Sequence, residues 1–488
     1  MVGIPGRSKG CRTCRRRKIG CDLQEPQCGQ CSKSGRHCEG FRKEIAFIHR
    51  TPQGLLRKGQ ERPPGPAPWE DGARCGASST SMTHMPPQLN NAAIYLDGML
   101  HTFLVAFLPS SSILPLTHHT NITAPAAPWM RIAVALPRRG PLLSMALHAL
   151  CMTKVARAQG DQALLMQGMA VHERALRALQ NAIYNKSTAL ADETLAAIRV
   201  LGTYELHEGT MGSVVGWTSH ETGVDQLVQL RGFSCSQYES ELGQALFAEA
   251  RRSAMIRGLQ FYKATFFGEK RWCIEPWGAR PKDYIQQLYD IGLLLPPILE
   301  ELHTIQGLPD DPRRAQIWQR CQHLDDRFNA WHARLLTLFG TIPYWEEPAE
   351  LGARSADILP GPFATSFHFL HIHVADGLGF FWALRLLLHN VMRGLSNSQG
   401  AATEEHNAVI ADYACNIARS VLYFTQPEIG YLGVQWLIFP LKTALTAFRQ
   451  MGWETEWQWS KGVLVAMKNR GISYGGDIVD AQWGERIQ

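Results

Sequence analysis

The chain has 488 residues, of which 45% are hydrophobic and 19% are charged, and its formal net charge at pH 7 is +6. This composition excludes a wholly disordered protein and supplies enough apolar residues for a sizeable core. It also excludes a membrane-spanning chain, because the best candidate segment, 429–441, has only 13 uncharged residues, against the roughly 20 that a bilayer requires. Residues 1–10 lack the apolar core of a secretion signal, so we expect reduced cysteines.

Six cysteines stand near the start of the chain with the spacing C-x2-C-x6-C-x6-C-x2-C-x6-C, and they are Cys11, Cys14, Cys21, Cys28, Cys31 and Cys38. Shifting the first three by 17 positions places them on the last three, so the segment is an internal repeat. A tetrahedral zinc ion takes four such ligands, with Zn–S bonds of about 2.3 Å. Six thiolates therefore saturate one ion with two left over, or two ions if two sulfurs bridge. The symmetric repeat favours two ions, with one bridging sulfur from each half.

Positive charge is concentrated in the same segment. Residues 1–50 hold 12 Lys and Arg against four Asp and Glu, a net charge of +8, so the other 438 residues carry −2. Two Zn²⁺ and six thiolates would leave this segment at about +6. Such a patch is typical of a protein that binds a polyanion. The cations are unequally divided, since Arg15, Arg16, Arg17 and Lys18 lie in the first half. We expect that half to face nucleic acid, with a short helix placing Arg15 and Lys18 on one side.

The run GCRTCRRRK at 10–18, together with Asp22, Pro26 and the six cysteines, closely resembles the fungal binuclear zinc-cluster Zn(2)-Cys(6) DNA-binding domain. The resemblance implies two Zn²⁺ ions bridged by Cys11 and Cys28, and it places Pro26 in the turn between the halves. It also implies a nuclear regulator of genes transcribed by RNA polymerase II. Lys18 would read guanines of a CGG triplet in the major groove, while phosphates would be held by Arg12, Arg15, Arg16 and Arg17. Gly20 departs from the family, in which a basic residue often precedes the third cysteine.

Other interpretations of this segment stay open. A disulfide framework would need an oxidising compartment, which residues 1–10 do not indicate. A zinc module that stabilises a protein-interaction surface, as in a corepressor, would have the same cysteine spacing, because a fold does not determine its function. The basic run also suits a nuclear-import signal, which is compatible with DNA binding.

Residues 51–90 predict a disordered linker, because they contain seven prolines and five glycines in 40 positions and cannot bury enough surface to order themselves. Many relatives of the resembling family form dimers through a coiled coil at this place. Here Pro52, Gly54, Gly59 and Pro63 exclude one, which leaves dimerisation unsupported. We therefore predict three parts: a DNA-binding module at 1–50, a linker at 51–90 and a large helical domain at 91–488.

The remainder of the chain has the apolar period of α-helices, and no sustained strand alternation interrupts it. The predicted helices cover 143–151, 165–183, 190–204, 311–338, 366–392, 407–424 and 432–450. The fold class is thus mainly α, with one large all-α domain. Its sequence resembles the fungal-specific transcription factor domain over roughly 90–450 at a set of short motifs, which are Glu193-Thr194-Leu195, Tyr204-Glu205, Trp217, His220, Gly223, Leu230-Arg231-Gly232 and the block 418–441.

We expect this domain to be regulatory and not an enzyme, with co-regulators as possible partners. Three histidines near an aspartate, His368, His371, His373 and Asp376, are its most suggestive catalytic or metal-binding set. On one helix His373 would lie about 200° round from His371, so the three would not converge. No phosphate-binding, nucleophile-elbow or zinc-protease motif occurs. The alternative is a helical enzyme or ligand receptor with a DNA-binding appendage.

Overall fold

The computed structural model describes residues 11–24, 27–38, 91–110, 129–208, 215–352, 358, 361–396 and 401–469. The chain divides into two compact units, Met1–Ser79 and Thr80–Gln488. The predicted linker, 51–90, lies outside the described residues, so the three-part division at 50 and 90 stays a prediction.

The described residues of the first unit, 11–24 and 27–38, form two short helices, α1 (Arg12–Arg16) and α2 (Gly29–Lys33). The cluster that they bury consists of five cysteine side chains, Cys11, Cys14, Cys28, Cys31 and Cys38, with Cys21 partly buried against them. A segment this small cannot bury enough apolar surface to fold on hydrophobic contacts alone. Its stability must therefore come from whatever joins the sulfur atoms.

The second unit is helical, which confirms the predicted fold class. Its helices among the described residues are α3 (Asn91–Phe107), α4 (Trp129–Ala135), α5 (Pro141–Gln159), α6 (Gln162–Tyr184), α7 (Asp192–Glu208), α8 (Val215–Arg231), α9 (Glu241–Phe261), α10 (Lys270–Ile274), α11 (Tyr284–Gly292), α12 (Leu295–Thr304), α13 (Arg313–Phe339), α14 (Ala349–Gly352), α15 (Ile372–Leu395), α16 (Ala401–Phe424), α17 (Gly430–Met451) and α18 (Glu454–Asn469). None of these described helices combines the length and the apolar character needed to cross a bilayer.

Helix α15 is the centre of this unit, since 21 of its 24 residues are buried. It packs against α13, α16 and α17, and a second group of contacts joins α5 to α3, α6 and α7. A helix that is apolar on all sides must be covered on all sides. Each large apolar side chain that it buries contributes about 1.5–3 kcal/mol.

Helices that the sequence predicted from a local apolar pattern are confirmed. The residues that predicted the first helix, Leu143, Ala146, Leu147, Leu150 and Cys151, are all buried in α5. Helix α13 begins directly after Pro312, and the backbone N–H of Arg313 donates to Asp311 Oδ1 at 2.9 Å. Proline and a capping aspartate are the expected start of a helix.

One predicted helix is wrong at its start. We expected a helix from 366 to 392, whereas α15 begins at Ile372 and the residues before it form a strand. Strand β2 (Thr365–Phe369) pairs antiparallel with β1 (Tyr344–Pro348), in the register Tyr344 to Phe369. Phe367 and Phe369 are buried, and aromatic residues suit a pleated, half-buried surface. The paired residues are 17 to 25 positions apart in the sequence, so no local period could indicate the pairing.

Candidate metal centre and nucleic-acid interface

The six cysteines of the repeat converge on one place. They form two groups of four, within each of which the sulfur atoms lie within 4.8 Å of one another. Cys11 and Cys28 belong to both groups. The first group adds Cys14 and Cys21, and the second adds Cys31 and Cys38. The shared sulfurs, Cys11 Sγ and Cys28 Sγ, are 3.5 Å apart.

The two halves of the repeat hold their sulfurs by the same hydrogen bonds. The N–H of Cys14 donates to Cys11 Sγ at 3.3 Å, and the N–H of Cys31 donates to Cys28 Sγ at 3.4 Å. Each shared cysteine thus stands before a short helix and caps its exposed N–H groups. The repeat in the sequence is therefore a repeat in the backbone geometry.

Contacts between the halves close the module. The hydroxyl of Thr13, itself buried, donates to the carbonyl of His37 at 3.1 Å. Asp22 Oδ1 accepts from the N–H of Gly29 at 3.0 Å. A Cβ at Gly29 would lie 2.3 Å from the Asp22 carboxylate, so only glycine allows this approach. Neither Thr13 nor Gly29 could be assigned this role from the sequence, because neither residue type signals such a contact.

The cysteine cluster fits zinc by its donor chemistry. Thiolate sulfur is a preferred zinc ligand, and two overlapping groups of four offer two tetrahedral sets. Burial, followed by hydrogen bonds from neighbouring thiols, raises the pKa of the Cys14 thiol above its ordinary value. A metal must therefore displace protons from these thiols, and its binding energy becomes folding energy. When bound, zinc would supply structural cross-links between the halves.

The basic run emerges directly from the cluster, but it is not wholly helical as expected. Helix α1 ends at Arg16, and Lys18 adopts the left-handed conformation with φ of 54°. The N–H of Ile19 donates to the carbonyl of Cys14 at 3.2 Å, which is the closing bond of a Schellman-type helix end. The side chain of Lys18 is thus directed by a backbone turn anchored on a cysteine of the cluster.

The cations of this run reach solvent. Arg16, Arg17 and Lys18 are exposed, and Arg17 Nη1 donates to Ser34 Oγ at 3.2 Å. The side chains of Arg12 and Arg15 and the turn residue Pro26 lie outside the described residues, so their predicted roles stay predictions. The exposed guanidinium and ammonium groups beside a rigid cluster provide donors for phosphate or base edges.

The three histidines that the sequence singled out, His368, His371 and His373, do not converge on one site. His368 lies in β2, where its Nε2 is 3.2 Å from Gln426 Nε2, while the rings of His371 and His373 are 6.1 Å apart. Asp376 binds Arg252 at 2.8 Å. We were wrong to place His368 on the helix. In the part of the chain that the structure describes, the groups of side chains arranged to hold a metal are those of the cysteine cluster.

Comparison with known families assigns both units. The model of the Fungal Zn(2)-Cys(6) binuclear cluster domain matches residues 9–45, and that of the Fungal specific transcription factor domain matches residues 99–426. The second match covers more than half of the chain. The protein therefore belongs to the fungal-specific transcription factor family, and its N-terminal module is a cluster domain that binds two zinc ions.

Individual relatives are similar over short segments. One is a notoamide biosynthesis cluster transcriptional coactivator of Aspergillus versicolor, 26% identical over 25% of this chain and 30% of its own length. Another is an aspercryptin biosynthesis cluster-specific transcription regulator of Emericella nidulans, 33% identical over 18% of this chain and 12% of its own. A transcriptional regulatory protein of Schizosaccharomyces pombe is 51% identical over 8% and 7%. The chain thus matches less than a third of each relative's length. No solved structure matches the chain.

Proposed function

We propose that the protein is a nuclear, sequence-specific regulator of genes transcribed by RNA polymerase II, and that its zinc module docks in the major groove of DNA. The observation that carries the proposal is the attachment of an exposed cationic run, Arg16 to Lys18, to a two-group cysteine cluster through the bond between Ile19 and Cys14. A rigid cationic edge of this kind suits duplex DNA. The phosphates attract it electrostatically, and contacts with the base edges favour one DNA sequence over another.

In this proposal the ligands of the two zinc ions are Cys11, Cys14, Cys21, Cys28, Cys31 and Cys38. Cys11 and Cys28 bridge the ions, which is supported by their membership of both sulfur groups. Because each bridging sulfur binds both ions, six ligands fill the eight coordination positions of the two ions. The thiol geometry also argues against disulfides, since all six cysteines are free and the shared sulfurs are 3.5 Å apart, well beyond the ~2.05 Å of a disulfide bond.

Lys18 reads the guanines of a CGG triplet, and phosphates are held by Arg12, Arg15, Arg16 and Arg17. A cation paired with guanine O6 and N7 is the commonest specific contact in the major groove. The left-handed backbone of Lys18 supports a functional role, because a non-glycine residue in this conformation is strained and such strain concentrates at functional sites.

The helical domain, which we place at 91–488 after a linker at 51–90, regulates this binding and has no catalytic role. It is similar to domains of transcription factors. The coactivator named among the relatives favours a second candidate function, in which the chain acts on transcription through protein partners. Both functions use the same zinc module, and they differ in whether the module itself contacts DNA.

Binding-site selection with the zinc-loaded full chain tests the proposal. We expect enrichment of CGG-containing duplexes and an affinity that falls steeply with salt, as phosphate neutralisation requires. Lys18→Ala should cost about 1–3 kcal/mol at the selected site and little on random DNA. The matched control is Lys33→Ala, an exposed cation in the second half, which should lower both affinities equally. Selection of no sequence would refute DNA readout and favour the protein-partner function.

A further inference from the structure

The helical domain contains a cavity of about 180 Å³ between α7, α8, α9, α11, α15 and α17. Aromatic side chains make up much of its wall, and they are Phe107, Trp129, Trp217, Tyr289, Trp436 and Phe439. An apolar cavity of about 150 Å³ is sufficient for benzene. This one therefore has room for a molecule of one or two rings.

The wall of the cavity holds more acidic side chains than basic ones. Four carboxylates line it, Glu221, Glu249, Asp283 and Asp376, against two guanidinium groups, those of Arg199 and Arg252. Aromatic faces carry negative charge and attract cations. Both features favour a ligand with positive charge.

The two arginines are already engaged by the protein. Arg199 donates to Glu221 at 3.1 Å, to Glu249 at 3.3 Å and to the hydroxyl of Ser253 at 3.1 Å. Arg252 donates to Asp376 at 2.8 Å, and its guanidinium lies 4.5 Å from the ring centre of Phe380 and 5.0 Å from that of Trp436. Guanidinium groups paired and stacked in this way are poorly placed to receive an anionic ligand. The cavity is thus not an anion site.

Three side chains that line the cavity have hydrogen-bonding atoms without a partner among the described residues. Asp376 Oδ1, the Tyr289 hydroxyl and His373 Nδ1 are buried without a partner among the described residues, and these side chains belong to residues that are 2–5% exposed. A buried polar atom left unpaired destabilises the folded state, so a ligand that pairs with it is favoured. Burial lowers the pKa of His373 to about 3, so its ring is neutral at physiological pH. A carboxylate oxygen can only accept, and it requires a donor from the ligand.

We propose that this cavity binds a small aromatic or apolar amine in its protonated form. The ammonium group donates to Asp376 Oδ1 in a cavity that the Tyr289 hydroxyl and the His373 ring also line, while the body of the ligand packs against Trp217, Trp436 and Phe439. The pairing supplies the donor that the buried carboxylate lacks. Binding would bridge α11, α15 and α17, the helices that carry these groups, and so stabilise the regulatory domain.

Titration of the full chain with three probes of similar size tests this proposal: 2-phenylethylamine, 2-phenylethanol and phenylacetate. We expect the amine to bind and raise the thermal unfolding temperature, the alcohol to bind at least about tenfold more weakly, since it lacks the charge-assisted hydrogen bond, and phenylacetate not to bind. Calorimetry and tryptophan fluorescence report binding without DNA. The outcome is therefore independent of the function proposed above.

Two variants locate the site. Asp376→Asn should weaken amine binding by at least about tenfold, whereas Asp326→Asn, an exposed carboxylate on α13, should leave it unchanged. Because Asp376→Asn also disturbs Arg252, Ala248→Leu provides a second test, since it adds volume to the wall of the cavity and leaves both residues of that ion pair in place. We expect Ala248→Leu to abolish binding and to retain the unfolding temperature of the free protein. Preferential binding of phenylacetate, absence of amine binding, or binding unchanged in Ala248→Leu would overturn the proposal.

Discussion

Lys18 and Gly35 occupy equivalent positions in the two halves of the zinc module, 17 residues apart, and both adopt the left-handed conformation with φ of 54° and 62°. The hydrogen bonds around them correspond as well, since Ile19 N–H donates to Cys14 O at 3.2 Å and Arg36 N–H donates to Cys31 O at 3.0 Å. Glycine is the usual residue at such a helix end. The first half has a lysine there, where it has a steric cost.

This relationship predicts that Lys18→Gly separates stability from recognition. Relief of the left-handed strain is worth about 1 kcal/mol or more and is partly offset by the greater freedom of glycine in the unfolded chain. We expect zinc retention against a chelator to be unchanged or improved, while discrimination between selected and random DNA is lost. Competition with a zinc chelator and gel-shift titration measure the two effects. A simultaneous loss of zinc would show that Lys18 is needed for folding.

The shared sulfurs predict unequal effects of cysteine substitution. Cys28→Ser removes a member of both sulfur groups, whereas Cys38→Ser leaves the group containing Cys14 and Cys21 complete. We expect Cys38→Ser to retain about one zinc ion and Cys28→Ser to retain less, because an incomplete tetrahedral set binds weakly. Cys235→Ser, exposed in the helical domain, is the control and should retain two. Elemental analysis of the purified chains checks this. Equal zinc content in Cys28→Ser and Cys38→Ser would contradict the bridging assignment.

A buried carboxylate in the helical domain should matter far more than a surface one. Glu221 is 3% exposed and accepts from Arg199 at 3.1 Å and from Arg257 at 3.3 Å. Glu221→Ala would leave two buried guanidinium groups without this partner, which we expect to lower the free energy of unfolding by about 3–5 kcal/mol. Glu300 pairs with Lys263 at the surface, and Glu300→Ala should cost about 1 kcal/mol or less. Urea unfolding of both variants provides the comparison. Similar losses in the two would argue against the buried network.

His373 should make the helical domain sensitive to acid. Burial, followed by the charges of His371 and Arg252, lowers the pKa of His373 to about 3, below the ordinary value of about 6.5. Between these values the unfolded chain binds a proton that the folded chain does not. Stability is therefore lost as pH falls below about 6.5, by roughly 1.4 kcal/mol per unit.

The test of this prediction is His373→Gln, which removes the titrating group and keeps a neutral polar side chain. Its unfolding free energy should fall less than that of the parent protein between pH 7 and pH 5, by about 2 kcal/mol. His323→Gln, at an exposed position on α13, should follow the parent protein. Denaturant unfolding at several pH values provides the measurement, and identical pH profiles for parent and His373→Gln would show that His373 does not titrate as expected.

The sequence predicted the features of the structure that depend on local spacing. The cysteine repeat indicated the shared-sulfur cluster, and the apolar period indicated α5 and α13. It did not predict the strand at Thr365–Phe369, because this strand depends on pairing with Tyr344–Pro348. Nor did it predict the cluster of Glu221 with Arg199 and Arg257, whose members are brought together only by helix packing.

The left-handed turn at Lys18 is intermediate between features that local spacing predicts and features that depend on tertiary packing. Extending the 17-residue shift beyond the cysteines aligns Lys18 with Gly35, the residue type usual at such a helix end, although we expected a helix there and not a turn. Considered alone, the basic run favoured a longer helix, because lysine and arginine are good helix formers. The helix end that both halves of the repeat share therefore prevailed over the helix propensity of lysine and arginine.

The internal repeat of the zinc module has a consequence for polarity. A module with two equal halves could present either half to a duplex, and it would then be unable to distinguish a site from its reverse. The lysine at position 18 and the glycine at position 35 break that degeneracy on a nearly symmetric frame. A single cluster can in this way impose a direction on the DNA that it binds.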